Sequence, residues 1–108
     1  MARYLLIESR DPFESNDAGY LYRVAASLAR KRHEVTLFLV QNGVLPARAN
    51  ATGVGLDELT AAGVEILADG FSLRERGIVA ERLSPAVAAA DLDAVIDRLA
   101  DGHITLWH

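Results

Sequence analysis

Two hydrophobic rhythms alternate along the chain. Arg3 to Ser9, RYLLIES, is a short apolar run that stops at the turn-rich RDPFESND, as a buried strand does. From Asp17 onward Ala18, Leu21, Val24, Ala25 and Leu28 recur at helical spacing, with Ser15, Asn16 and Asp17 as acceptable caps at the start. Arg30, Lys31 and Arg32 fall at the end, where cations suit the helix dipole. Glu34 to Val40, EVTLFLV, is β-branched, aromatic and apolar on both faces, the pattern of a central parallel strand. The segment QNGVLPARANATGVG, with glycines at 43, 53 and 55 and Pro46, predicts a long, partly mobile connection from Gln41 to Gly55. LDELTAAG then predicts a short helix stopped by Gly63, and Val64 to Ala68 a third strand.

At Asp69-Gly70 the apolar run passes into the arginine-rich FSLRERG. The simplest reading is a strand-to-helix turn: Gly70 supplies a permissive backbone angle, Ser72 caps the next helix, and Glu75 completes a capping box. The stretch from Ser84 to Asp101 ends in an amphipathic helix, with Leu92, Val95, Ile96 and Leu99 at i, i+3, i+4 and i+7 and Gly102 as its stop. His103 to His108 closes as a last strand. Strands alternating with helices predict one α/β domain over residues 1–108. It is expected to be a small flavodoxin-like or Rossmann-like three-layer sandwich whose mostly parallel sheet has about four or five strands. In such sheets ligands sit outside the carboxyl ends of the strands. The segments that matter are therefore Glu8 to Asp17, Gln41 to Val44, Asp69 to Arg76, and Trp107 with His108.

Composition narrows the chemistry. The chain is 51% hydrophobic and 24% charged with a net charge of -4, a globular profile without the clustered basic surface a nucleic-acid binder needs. No apolar stretch is long enough to cross a membrane, and the N-terminal run is too short for a signal peptide, so a cytoplasmic location is expected. There is no cysteine, which excludes disulfides, a thiolate nucleophile, a persulfide carrier and thiolate metal sites within this chain. His103 and His108, five apart, point to opposite faces of a regular strand and do not converge on one metal. Gly53 and Gly55 lack the rest of a dinucleotide fingerprint, and no Lys-Ser/Thr pair makes a P-loop. Neither metal nor cofactor is expected. Asn50-Ala-Thr52 matches a glycosylation acceptor by chance.

The polar residues at the strand ends admit two readings. Asp11, Glu14, Ser15 and Asn16 are helix caps and dipole partners, or a carboxylate pair there works as acid and base. Asp69, with Arg74, Arg76 and Asn42, is a turn, or the rim of a pocket for an anion. Phe13, Leu45 and Phe71, apolar side chains in connecting segments, are candidates for a subunit interface, and Trp107 for core or interface.

LLIESRDPFES, a helix, VTLFLVQNGV, AAGVEILADGFSLRERGI and a final ITLWH together resemble the DsrE/DsrF-like family, which includes the TusD-type sulfur-relay subunits. The resemblance covers essentially the whole chain. It implies a homo-oligomer, trimer or hexamer, or a hetero-oligomer with a cysteine-bearing paralogue. In sulfur-transferring members a cysteine at the end of the third strand carries a persulfide ahead of an Arg-Gly pair. Matching Arg76-Gly77 to that pair puts Asp69 in the cysteine's place. An aspartate cannot hold sulfane sulfur, so a non-catalytic binding or structural subunit is the first expectation. The alternative is a small-ligand binder or enzyme with a rebuilt polar site at the carboxyl edge.

Overall fold

A computed structural model describes residues 1–51 and 55–108. Five strands, β1 (Arg3–Glu8), β2 (Glu34–Leu39), β3 (Glu65–Asp69), β4 (Val87–Ala90) and β5 (Ile104–Trp107), form one sheet in the order β4-β3-β2-β1-β5. Every neighbouring pair is parallel. Among the described residues four α-helices intervene: α1 (Asn16–Arg30), α2 (Leu56–Ala62), α3 (Gly70–Glu75) and α4 (Asp93–Ala100).

Side chains alternate across the sheet with the period of two that a strand imposes. Leu6, Val35, Leu37, Leu39, Ile66 and Ala68 enter the larger core, beneath Leu21, Tyr22 and Ala25 of α1 and Leu56 and Leu59 of α2. Leu5, Ile7, Phe38 and Leu67 form a smaller core on the opposite face, closed by Ala94 and Val95 of α4. The three-layer α/β sandwich is as expected, and the sheet is wholly parallel.

Some local expectations change. β4 was hidden in the segment assigned to the last helix, because Val87-Ala-Ala-Ala has one β-branched residue and reads as helix by propensity; pairing with β3 overrides it. Gln41 to Ala47, expected to be loose, is a 3₁₀ helix with Gly43, Val44, Pro46 and Ala47 buried. Asn50 and Ala51 are described, whereas Thr52, Gly53 and Val54 lie outside the described residues. Gly70 has no positive φ and sits inside α3. The cap of α3 is Asp69 rather than Ser72.

The α4 helix departs most. Of its apolar stripe only Val95 packs on the sheet, and Leu92, Ile96 and Leu99 are 57%, 60% and 50% exposed. Arg98 takes the inward place instead: its guanidinium donates to Thr36 Oγ1 (3.2 Å) and pairs with Glu65 (2.7 Å) at the amino edge of the sheet. No helix among the described residues is long and apolar enough to cross a membrane.

Candidate functional site

The chain advances from β1 through β2 and β3 to β4, then returns across the sheet so that β5 lies on the other side of β1. This reversal makes a crevice outside the carboxyl ends of the central strands, the place where open α/β sheets take ligands. A cleft of about 490 Å³ lies there, lined by Ser9, Asn42, Asp69, Phe71, Arg76 and Trp107 among others. A polar hollow of about 400 Å³ adjoins it through Ser9, Gln41 and Asn42, and is lined further by Arg10, Glu14 and Ser15. Residues foreseen on three separate segments thus share one edge. Asn16 and Arg74 are exposed and line neither hollow.

Asp69 ends β3 and is 6% exposed. Its Oδ2 accepts from the Ser72 N–H (3.0 Å) and from the Ser72 hydroxyl (2.7 Å), a complete N-cap for α3. The same hydroxyl accepts from the Gln41 N–H at 2.9 Å. Gln41 has φ 52°, unusual for a residue with a side chain, and this hydrogen bond helps hold it there. Across the cleft Arg76 Nε donates to Asn42 Oδ1 (3.1 Å), and its Nη1 donates to the Ser72 carbonyl (3.2 Å). The end of β2 and the start of α3 are therefore tied by one chain of polar contacts.

In the first loop Asp11 is also buried, and its Oδ1 accepts from the Phe13 N–H at 3.0 Å, so it shapes the turn. Ser15 is the N-cap of α1 by backbone position, yet its side chain makes no capping bond. Phe13 and Phe71 are 62% and 61% exposed, while Leu45 packs partly buried against the larger core. Trp107, at 72% exposed, belongs to the surface rather than the core.

The most buried polar group at this edge falls in the first of the segments singled out by sequence, Glu8 to Asp17, but was not itself named as a candidate site residue. Glu8, at the end of β1, is fully buried, and both carboxylate oxygens lie 2.8–2.9 Å from His108 Nδ1. Its Oε2 also accepts from the Arg10 N–H at 3.0 Å. A carboxylate closing an apolar run is the signal that sequence carried, because a buried charge needs partners. Its partner is 100 residues away and is found only through the β1–β5 register.

Tyr22, on α1, is buried, and its hydroxyl has no hydrogen-bond partner among the described residues. Burial first, then the charges of Glu8 and Asp11, push its phenol well above the usual range. Folding thus favours the neutral phenol. The resulting stability is full below the unfolded value of about 10 and falls by roughly 1.4 kcal/mol per pH unit above it, until the folded phenol itself ionises. Denaturant midpoints measured through this alkaline range should fall faster for the natural chain than for Tyr22→Phe; equal slopes would refute the assignment.

Within the described residues no group of three or more His, Cys, Asp or Glu side chains is placed to hold a metal ion. The model of the DsrE/DsrF-like family matches residues 2–107. No curated protein is significantly similar in sequence. Among solved structures, a protein of unknown function from Methanobacterium thermoautotrophicum superposes with a TM-score of 0.86 at 18% identity, covering 100% of both chains. The ychN protein from E. coli gives 0.82 at 22% identity over 98% of this chain and 99% of that one. A conserved protein of unknown function from Bacteroides thetaiotaomicron gives 0.77 at 16% identity, over 98% and 95% respectively. At these identities the likeness establishes the fold alone.

Proposed function

The chain belongs to the DsrE/DsrF-like family, and from that premise we propose that it is a non-catalytic, oligomeric subunit of a sulfur-handling assembly. The observation that carries this reading is Asp69. Matching Arg76-Gly77 to the family's Arg-Gly pair would put Asp69 in the place of the sulfur-carrying cysteine, and its carboxylate is spent on capping α3. With no cysteine anywhere in the chain, a persulfide would have to be held by another protein.

The exposed face of α4 supports the assembly. Leu92, Ile96 and Leu99 of α4 are exposed, and so are Ile104, Leu106 and Trp107 of the edge strand β5. Water is a poor neighbour for so much apolar surface on so small a domain, and a second copy or a cysteine-bearing paralogue would shelter it. Glutamate at position 96 puts a charge in the middle of that surface. We expect Ile96→Glu to fold with a melting temperature close to that of the natural chain and to weaken assembly at least tenfold, or about 1.4 kcal/mol, by sedimentation velocity. An unchanged assembly would remove α4 from the interface, and a natural chain that is monomeric and partnerless in native mass spectra would overturn the proposal.

The cleft supports a second reading, a small-ligand binder or enzyme with a rebuilt polar site. Its donors and acceptors, Asn42, Arg76 and Ser9, stand opposite the apolar side chains of Phe71 and Trp107, a mixed lining suited to a small organic molecule. Native mass spectrometry of the protein purified from its own host separates the two: a co-purifying cysteine-bearing chain supports the first, and a retained small molecule the second.

A further inference from the structure

We infer that the free edge of β5 pairs with the β5 of a second copy of this chain, antiparallel across a two-fold axis at Leu106, so that the two sheets join into one. The inference rests on the oligomeric reading above and gives it a contact and a register.

The backbone of β5 sets that register. The His108 N–H donates to the Ile7 carbonyl (2.9 Å), and the His108 carbonyl accepts from the Ser9 N–H (2.8 Å). Successive residues of a strand turn their N–H and C=O groups to opposite sides, so Leu106 and Ile104 also turn theirs to β1. Thr105 and Trp107 turn theirs the other way, where β5 is the last strand of the sheet. A two-fold axis at Leu106 sets Thr105 of each copy opposite Trp107 of the other, and such a pair exchanges both of its N–H···O bonds in an antiparallel ladder. An axis at Thr105 would instead set Trp107 against His103. The His103 N–H already donates to the Arg98 carbonyl (3.1 Å), and its carbonyl accepts from the Thr105 hydroxyl (3.2 Å).

The side chains suit the same axis. Thr105 and Trp107 lie beside Leu5 and Ile7, on the face that α4 covers, whereas Leu106 lies beside Leu6 on the face of α1. Pairing therefore brings Thr105 against Trp107 on one face and Leu106 against its own counterpart on the other. Ile104, Leu106 and Trp107, all exposed in the single chain, are sheltered together. No charged side chain occurs in Ile104–Trp107, so like charges are not opposed. Trp107 and Leu92 line the same cleft, which continues the contact from the strand to α4.

A second copy is the occupant that this edge fits. Edge strands that stay single are ordinarily guarded by a lysine, a proline, a bulge or a covering segment. β5 pairs with β1 in unbroken register and reads Ile-Thr-Leu-Trp, β-branched and aromatic residues that favour a ladder. The opposite edge, β4, is Val87-Ala-Ala-Ala and has little side chain to hold a partner. Joining β5 of one copy to β4 of the next would run on as a filament, whereas a two-fold on β5 closes after two chains.

The test uses the lack of cysteine in the chain. The purified recombinant protein carrying Leu106→Cys as its sole thiol is oxidised with copper phenanthroline beside Thr105→Cys, and the linked dimer is followed by non-reducing electrophoresis. At the proposed axis the two Leu106 Cα atoms stand about 4.5 Å apart, within disulfide reach, and the two Thr105 residues stand diagonally about 7–8 Å apart. We expect Leu106→Cys to crosslink roughly tenfold faster or more, and to lose that advantage in urea. Thr105→Pro removes an outward N–H and spares the bonds to β1, so it should keep the Leu106 and His108 amides protected from exchange and weaken the dimer roughly tenfold or more in sedimentation velocity. An oligomer in which Leu106→Cys crosslinks no faster than Thr105→Cys overturns the inference and leaves the assembly reading standing. A folded Thr105→Pro that dimerises undiminished does the same. A recombinant chain that is monomeric by itself also overturns the inference, and the assembly reading falls with it only if the protein from its own host is partnerless too.

Discussion

Gly43→Ala is expected to cost about 3 kcal/mol or more, a large share of the 5–15 kcal/mol that holds a typical domain together. A Cβ at this position would stand 2.2 Å from the Glu8 carbonyl oxygen and 3.0 Å from its carbon, both backbone atoms that no rotamer change can move. Gly43 does not need its glycine for conformation, since its φ is not positive. It needs the space, because the 3₁₀ turn after β2 passes directly against the end of β1. Relief requires the turn to lift, and two contacts would go with it: the Val40 N–H to the Glu8 carbonyl (3.0 Å) and the Gly43 N–H to the Val40 carbonyl (2.8 Å). The melting temperature should drop by about 12 °C or more for a domain of this size. A drop of only a degree or two would mean that the turn can leave the strand end freely. The same residue whose carbonyl is struck carries the carboxylate that holds His108, so the ring-nitrogen shifts of His108 should move as well.

Which parts of this edge can be read from sequence follows from how local their causes are. The strands β1, β2 and β3 are written in continuous apolar runs, and α1 in a stripe three and four residues apart, because burial on one or both faces demands those residues at those positions. Asp69, Asn42, Arg76 and Glu14 could be placed at the carboxyl edge from strand ends alone. The closeness of Glu8 to His108 could not, since it depends on β5 returning beside β1 at the register that sets Ile7 against Trp107. β4 was hidden by alanines, whose helical preference is decided against by the β3 edge next to them. Leu92, Ile96 and Leu99 of the α4 stripe point away from their own sheet because Ala94, Arg98 and, of the stripe, only Val95 face it. An amphipathic pattern states that a face will be covered, and does not state by which molecule.

Asp69→Ala is expected to cost roughly 2–3 kcal/mol: about 1 for the lost N-cap, and the remainder for a buried Ser72 hydroxyl left without its acceptor. Asp69→Asn offers the same oxygen to the Ser72 N–H and should recover most of this, since asparagine caps helices as well as aspartate does. The pair of variants separates the uses that this position can have. If Asp69 is a capping residue standing where relatives hold sulfur, thermal stability will follow the cap, with Asn close to the natural chain and Ala well below it, and any assembly will survive in Asp69→Asn. If its charge serves a ligand in the cleft, Asp69→Asn will keep its stability and lose binding. The second consequence of Asp69→Ala lies across the cleft: Ser72 holds the Gln41 N–H in a turn with positive φ, and Asn42 follows at once to meet Arg76. Freed from Asp69, the Ser72 hydroxyl can rotate away, and the Gln41 turn loses the acceptor that sustains its conformation. Amide hydrogen exchange at Gln41 should therefore accelerate in Asp69→Ala and not in Asp69→Asn. Unchanged exchange in both would show that the turn is held by the packing of Val44 and Ala47 alone.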